Sequence, residues 1–272
     1  MENTRTKIIA ISSGKGGVGK TFISLQLSAA LIGLGKRVAL FDGDLGLANV
    51  HVLLGLKPEF DMSDVVAGRK SLQETLLQGP LGLQIIPGSS GQRDMAELDG
   101  RGLARVLQGL NDLAPKPDFL LIDTGAGIGT HVTTLARLAD SLMVVIRNEP
   151  ASLADAYGLI KVMHGDFGFQ KFEIIVNDST NSKASEAVFT RLNEVAVRFL
   201  GLPLSLAGIV PRDESVALAT RRRQLLAESS EITPAVAALR KIAANLAALP
   251  AELDAPDFLL DRLGPNTKMT LS

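Results

Sequence analysis

The chain has 272 residues, 46% apolar and 21% charged, enough to build a core and too apolar for a disordered or low-complexity polypeptide. Lys and Arg number 28 against 29 Asp and Glu, so the net charge is −1 and no global field draws the protein onto nucleic acid or anionic lipid. The absence of cysteine excludes disulfides, thiolate zinc sites, Cys-ligated iron–sulfur clusters and Cys nucleophiles together, and with them a redox iron protein.

Residues 1–6 read as a short N-terminal tail before the first strand, Lys7–Ser12, which ends at a glycine-rich loop. Its apolar stretch Ile8–Ile11 is too short for a signal-peptide core, and no segment reaches the roughly 18 apolar residues of a membrane span, so a cytoplasmic protein is expected. Helix Thr21–Leu34 follows, stopped by Gly35, and then strand Arg37–Asp42. Strands Leu83–Pro87, Phe119–Asp123, Ser141–Arg147, Phe172–Asn177 and Leu204–Val210 come next, interleaved with amphipathic helices Arg101–Leu113, Ser152–His164, Lys183–Leu200 and Ile232–Leu249. Strands alternating with helices predict an α/β fold: one domain over residues 7–250, with a mostly parallel central sheet flanked by helices on both faces. Residues 251–272, with Pro256 and Pro265, read as a loosely packed C-terminal appendage.

Directly after the first strand, Gly14-Lys15-Gly16-Gly17-Val18-Gly19-Lys20-Thr21 satisfies the phosphate-loop pattern in full. Its glycines let backbone N–H groups converge on phosphate oxygens without Cβ clashes, and the helix that follows aims its positive end at them. Lys20 would neutralise the β and γ phosphates, and the Thr21 hydroxyl would join the shell of Mg²⁺. Lys15 is not needed by a backbone cradle. It is either a solvated cation or a charge delivered to another protomer's nucleotide.

In an open parallel sheet, ligands lie beyond the carboxyl ends of the strands, so acids that close strands are site candidates. Asp123 closes Phe119-Leu120-Leu121-Ile122 and fits the acid that holds Mg²⁺, followed by a flexible segment, Thr124–Gly129, able to sense the γ-phosphate. Asp42 and Asp44 close the second strand, and alternation would point both at one reaction centre, one organising the metal shell and one the attacking water. The competing reading is a pair of capping or turn-forming aspartates. His51, His131 and His164 are scattered without ligand spacing and read as ordinary surface or satisfied histidines. Arg221-Arg222-Arg223 reads as a solvated helix face, with an anionic partner such as DNA as the alternative.

The loop with its two lysines resembles the deviant Walker A motif of the MinD/ParA branch of SIMIBI P-loop ATPases, whose extra lysine acts across an ATP-sandwiched dimer. The run from Asp42 to Leu56, the segment Asp123–Gly129 and the stretch Asn148–Lys161 are similar to the FlhG/FleN flagellar-number regulators, and the resemblance extends from about Lys7 to about Leu249. It implies a Mg²⁺-dependent, slow ATPase that binds ATP and ADP. ATP would close a homodimer that restrains a σ54-dependent flagellar transcription activator. On it, Lys15 is the signature lysine and Asp155 its partner at the dimer interface. Lys20 and Asp44 join Lys15 in the catalytic set, Asp44 orienting water, which leaves Asp42 with Thr21 and Asp123 in the magnesium shell. Asn177, Pro211 and Asp213 take the places that hold adenine. Phe22 stands where a small polar residue often holds the α-phosphate and is counted with the nucleotide-binding positions.

The departures carry expectations of their own. Gly43 and Gly125 replace the Ala or Pro common in the family, which predicts looser switches and slow hydrolysis. Only Met1–Thr6 precede the first strand, where many members carry a glutamine-containing helix that stimulates the GTPase FlhF, so FlhF stays a candidate partner while its direct activation is less expected. Residues Asp257–Leu263 hold two acids and one base, which fits docking on the protein's own surface or on a partner better than a lipid anchor, leaving membrane or polar contact transient. The alternatives are a MinD-type division-site protein, a ParA-type partition ATPase and an interaction module that holds nucleotide without turnover.

Overall fold

The computed structural model describes residues 5–44, 48–89, 100–228, 231–249 and 259–263. Met1–Thr4 of the N-terminal tail, Leu45–Leu47 of the run from Asp42 to Leu56, and Pro256, Asp257, Phe258 and Pro265 of the C-terminal appendage lie outside them.

Strands β1 (Lys7–Ser13), β2 (Val38–Gly43), β3 (Leu77–Gln78), β4 (Gln84–Ile86), β5 (Phe119–Ala126), β6 (Ser141–Ile146), β7 (Phe172–Ser179) and β8 (Ser205–Pro211) form one sheet in the order β3-β4-β2-β5-β1-β6-β7-β8. Only β3 runs antiparallel, against β4; at two residues it is too short to carry a periodic signal, and the sequence reading did not contain it. The helices are α1 (Lys20–Gly33), α2 (Val50–Leu53), α3 (Met62–Val66), α4 (Leu72–Thr75), α5 (Gly100–Asn111), α6 (Thr130–Ala136), α7 (Pro150–Phe167), α8 (Ser182–Leu200), α9 (Glu214–Arg222), α10 (Pro234–Ala248) and α11 (Leu259–Arg262). The long ones match the predicted amphipathic stretches; α2, α3, α4 and α6 are one or two turns each, too short to carry a periodic signal, and α9 supplies the helix on which Arg221 and Arg222 were expected.

Strand alternation divides the interior in two. Ile8, Ala10, Leu120, Ile122, Leu142 and Val144 face one layer, built with α3, α5, α6, α7 and α8, while Ile9, Ile11, Leu121, Met143 and Val145 face the other, built with α1 and α10. Both faces are covered, which is why the central strands read as unbroken apolar runs. α5 shows the amphipathic rule: Leu103, Val106, Leu107 and Leu110 are its buried stripe.

The chain leaves β1 for β2 on one side of the sheet, returns through β5, and crosses β1 to reach β6. The order therefore reverses around β1, and the crevice beyond its carboxyl end is where ligands bind in open sheets.

Of the two docking places expected for the C-terminal segment, its described residues take the protein's own surface. Leu259 and Leu263 are buried in the same layer as α5 and α6, the Leu259 N–H donates to Asn111 Oδ1 at 3.4 Å, and Arg262 pairs with Asp140 at 3.1 Å. Arg262 also donates to the Leu138 carbonyl and Arg137 to that of Leu263. Residues 259–263 are therefore part of the packed body. No helix among the described residues is long and apolar enough to cross a membrane.

Candidate functional site

Gly14–Gly19 leave the end of β1 as a loop, and Gly17 (φ 79°) and Gly19 (φ 92°) adopt the left-handed backbone that the pattern's glycines supply. A Cβ on Gly16 or Gly17 would meet nothing within 4 Å, so this side of the loop faces open space. A Cβ on Gly14 would overlap the backbone of Asp155 and Ala156 in α7, and one on Gly19 the Asn177 amide. Gly19 offers no side-chain cap, so the first N–H groups of α1 are left for a ligand, whereas α3, α8, α9 and α10 each have a capping side chain.

Lys20 Nζ lies 3.0 Å from Asp123 Oδ1, the two side chains being 9% and 1% exposed, and Ser24 Oγ donates to the same oxygen at 3.1 Å. Two expected site residues, 103 positions apart, therefore meet directly. Asp42 is opposite Asp123 in the β2–β5 register, also 1% exposed. Its Oδ2 accepts from the Asn49 and Val50 N–H groups, both at 2.9 Å, which caps α2; Oδ1 is buried with no hydrogen-bond partner. Burial, and next the charge of Asp123, push the Asp42 carboxyl up to about 7 against the opposing backbone N–H groups. Asp44 lines the cleft instead. β2 ends at Gly43, so Asp44 stands just beyond the strand, while Asp42 is buried within it.

Lys15 sits on the rim, a third exposed, with Nζ 2.8 Å from Glu149 Oε2. Its hydrogen bond and charge hold the Glu149 carboxyl below the usual range. Within the chain its partner is Glu149, not Asp155, which is exposed on α7. Arg147 reaches Glu149 and Asp178, and Arg212 Nε meets Asp178 Oδ1 at 2.7 Å, so a ladder of charges crosses the carboxyl ends of β6, β7 and β8.

Beside the loop lies a cleft of about 580 Å³, walled by Gly16, Gly17, Gly19, Lys20, Thr21 and Phe22, by Asp44, Asn49, Leu53 and Leu54, by Gly125, Ala126 and His131, and by Thr220, Gln224 and Leu225. Among the described residues no three His, Asp or Glu converge as a metal cluster. A cation here would need hydroxyl, water or phosphate ligands as well.

Residues 9–226 match the family described as the CobQ/CobB/MinD/ParA nucleotide binding domain. The chain belongs to that family. It is 38% identical over 260 residues to the antiactivator FleN of Pseudomonas aeruginosa, covering 94% of this chain and 93% of that protein. It is 32% identical over 222 residues to the flagellum site-determining protein YlxH of Helicobacter pylori, covering 81% and 75%. The septum site-determining protein MinD of Pyrococcus horikoshii, solved with Mg-ADP, superposes with a TM-score of 0.75 at 25% identity over 92% of this chain and 99% of that one.

The positions expected to hold adenine also make bonds within this chain. Asn177 Nδ2 donates to the Val18 carbonyl at 2.8 Å from behind the loop. Asp213 caps two helices, Oδ1 accepting from the Ser215 N–H at 3.0 Å and Oδ2 from the Ala235 N–H at 3.1 Å. Burial alone would raise its carboxyl, but bonds from the Ser215 and Thr233 side chains and those N–H groups hold it at about 2. Neither residue, nor Pro211, walls the cleft, whereas Phe22 does. The glycine departures sit beside close neighbours: a Cβ at Gly43 would lie 2.9 Å from Leu135 Cδ1 and one at Gly125 3.2 Å from His131 Nε2. His131 is the cleft residue that sequence reasoning passed over; it stands six residues beyond the Gly125 vacancy that admits its ring, and that missing Cβ was the available signal. Arg221 and Arg222 end α9, where cations complement the negative end of the helix dipole, and Arg223 in the left-handed region (φ 55°) packs on Gly55.

Proposed function

We propose that this chain is a Mg²⁺-dependent ATPase switch that dimerises on ATP and limits flagellar number by restraining a σ54-dependent transcription activator. The observation that carries the ATPase part is the division of labour between the two loop lysines. Lys20 is sunk in the cleft against Asp123, and Lys15 stands on the rim, available to a second copy. The flagellar part is supported by the likeness to the antiactivator FleN.

The residues present fit a magnesium nucleotide. The uncapped start of α1 and the open side of Gly16 and Gly17 form a cradle for phosphate oxygens, with Lys20 supplying positive charge within it. Thr21 lines the cleft, and Asp123, paired with Lys20, and the unpartnered Oδ1 of Asp42 lie at the neighbouring strand ends, so these three would supply oxygens to Mg²⁺. The metal, when bound, neutralises charge developing on the phosphates. Asp44, at the cleft wall, orients the attacking water. Lys15 leaves Glu149 for the partner's nucleotide on dimerisation, and Asp155 meets the partner's lysine there. Asn177, Pro211 and Asp213 shape the loops beside the base, with Asn177 acting through the Val18 carbonyl.

Deleting the gene and counting flagella by electron microscopy tests the role. Extra flagella, restored to normal by wild type and not by Lys20→Ala, are expected; a normal count with lost plasmids or misplaced septa would move the protein to the partition or division branch.

A further inference from the structure

His131 occupies a notch that two glycines leave open. Its Nε2 lies 3.2 Å from where a Gly125 Cβ would be, and its Cε1 3.2 Å from the corresponding point at Gly129. Asp44 Oδ1 lies 3.7 Å from that same Gly125 point, so the ring nitrogen and the carboxylate share one corner of the cleft. Neither ring nitrogen of His131 is engaged by another described residue, whereas His164 Nδ1 is held against the Phe169 carbonyl at 3.0 Å. The short loop Gly127–Gly129 joins this ring to β5 and so to Asp123, which already holds Lys20.

A carboxylate in that corner repels a further phosphoryl group, and the neighbouring Lys20 is shared with Asp123. An imidazole offers at least one N–H donor in either protonation state. We propose that His131 is the specificity-determining residue through which the cleft distinguishes a nucleoside triphosphate from the diphosphate, its ring N–H donating to the terminal phosphoryl group. The inference rests on the nucleotide-binding reading above and adds to it a residue chosen by geometry. Gly125 belongs to the same device, since a methyl group there would press on the ring.

The test is binding, free of turnover. Mg-ADP and a non-hydrolysable ATP analogue are titrated by calorimetry into wild type, His131→Ala and His131→Gln, at a protein concentration where light scattering shows monomer. ADP affinity should stay within about twofold in both variants. Analogue affinity should fall about tenfold in His131→Ala, the loss of one hydrogen bond to a charged group, and recover most of that in His131→Gln, whose amide keeps a donor. A second readout needs no variant at this site. The imidazole NMR signals of wild type, assigned against His51→Gln and His164→Gln, should show the His131 resonances moving with the analogue and staying in place with ADP. An unchanged triphosphate-to-diphosphate ratio in His131→Ala, or His131 signals that respond alike to both nucleotides, would overturn the inference while leaving the ATPase reading intact. A wild type that binds neither nucleotide removes that reading, and this inference with it.

Discussion

Lys20 and Asp123 form an ion pair of 3.0 Å at the floor of the cleft, with less than a tenth of either side chain exposed. A buried pair is weak evidence for stability, because desolvation offsets much of the attraction, but removing one partner strands the other charge. Lys20→Ala is therefore expected to lose nucleotide binding and also about 3 kcal/mol of stability. The double variant Lys20→Ala/Asp123→Ala should be more stable than Lys20→Ala alone. Urea denaturation of the four proteins in the cycle measures the coupling, and strict additivity would show that the pair does not interact.

Asp42 gives the protein without metal a pH dependence of unusual sign. Its folded value, about 7, lies above the unfolded value near 3.8 because burial and Asp123 disfavour its charge. The folded state then holds the proton that the unfolded state has lost, so this group's contribution is present below about pH 4 and is lost as pH rises through 7. The loss is at most about 4 kcal/mol. Asp42→Asn, measured by denaturation at pH 5 and pH 8 in chelator, should flatten that slope. An unchanged slope would assign it to other groups.

The cleft-lining position of Asp44 separates binding from turnover. Asp44→Ala should bind nucleotide within about threefold of wild type and still dimerise on ATP, while phosphate release falls about a hundredfold, the range for a positioned group that acts in proton transfer. Full activity in this variant would remove Asp44 from the hydrolytic role.

The glycines of the loop divide by what they face. Gly14→Ala would drive a methyl group into the α7 backbone and should cost about 2 kcal/mol, as overpacking does. At Gly16 nothing lies within 4 Å, so Gly16→Ala should keep its melting temperature and lose affinity only for nucleotide. Thermal melts of both variants check this, and equal destabilisation would show that loop conformation dominates contact.

These positions also show what was legible in the sequence. The sheet, its helices and the phosphate loop were, because buried parallel strands are unbroken apolar runs and the loop's chemistry fixes residue types at fixed spacing. That Asp123 belongs beside the phosphate loop followed from placing strand ends; its direct ion pair with Lys20 did not. Other features depend on long-range packing that no local pattern encodes. Asp42 caps a four-residue helix that has no period to detect, and Asp213 ties α9 to α10 across 22 residues. The side chains beside Gly43 and Gly125, Leu135 and His131, come from α6, and the glycines themselves carry no signal of which side chains those are. Lys7, at the start of β1, is buried because its Nζ reaches the Leu246 carbonyl in the last turn of α10, 239 residues away.

The buried C-terminal segment makes the last prediction. Leu263 is 1% exposed in the layer of α5 and α6, and its carbonyl accepts from Arg137, which follows α6. α6 begins at the cleft, where His131 stands in its first turn, so one short helix runs from the nucleotide site to the docked tail. Leu263→Ala deletes buried methyl groups and should cost about 3 kcal/mol in urea denaturation. Because the cleft walls are formed by other elements, Mg-ADP affinity should remain within about twofold. A variant as stable as wild type would mean that residues 259–263 leave the body in solution, and a large loss of ADP affinity would mean that the tail holds α6, and with it the cleft, in its binding form.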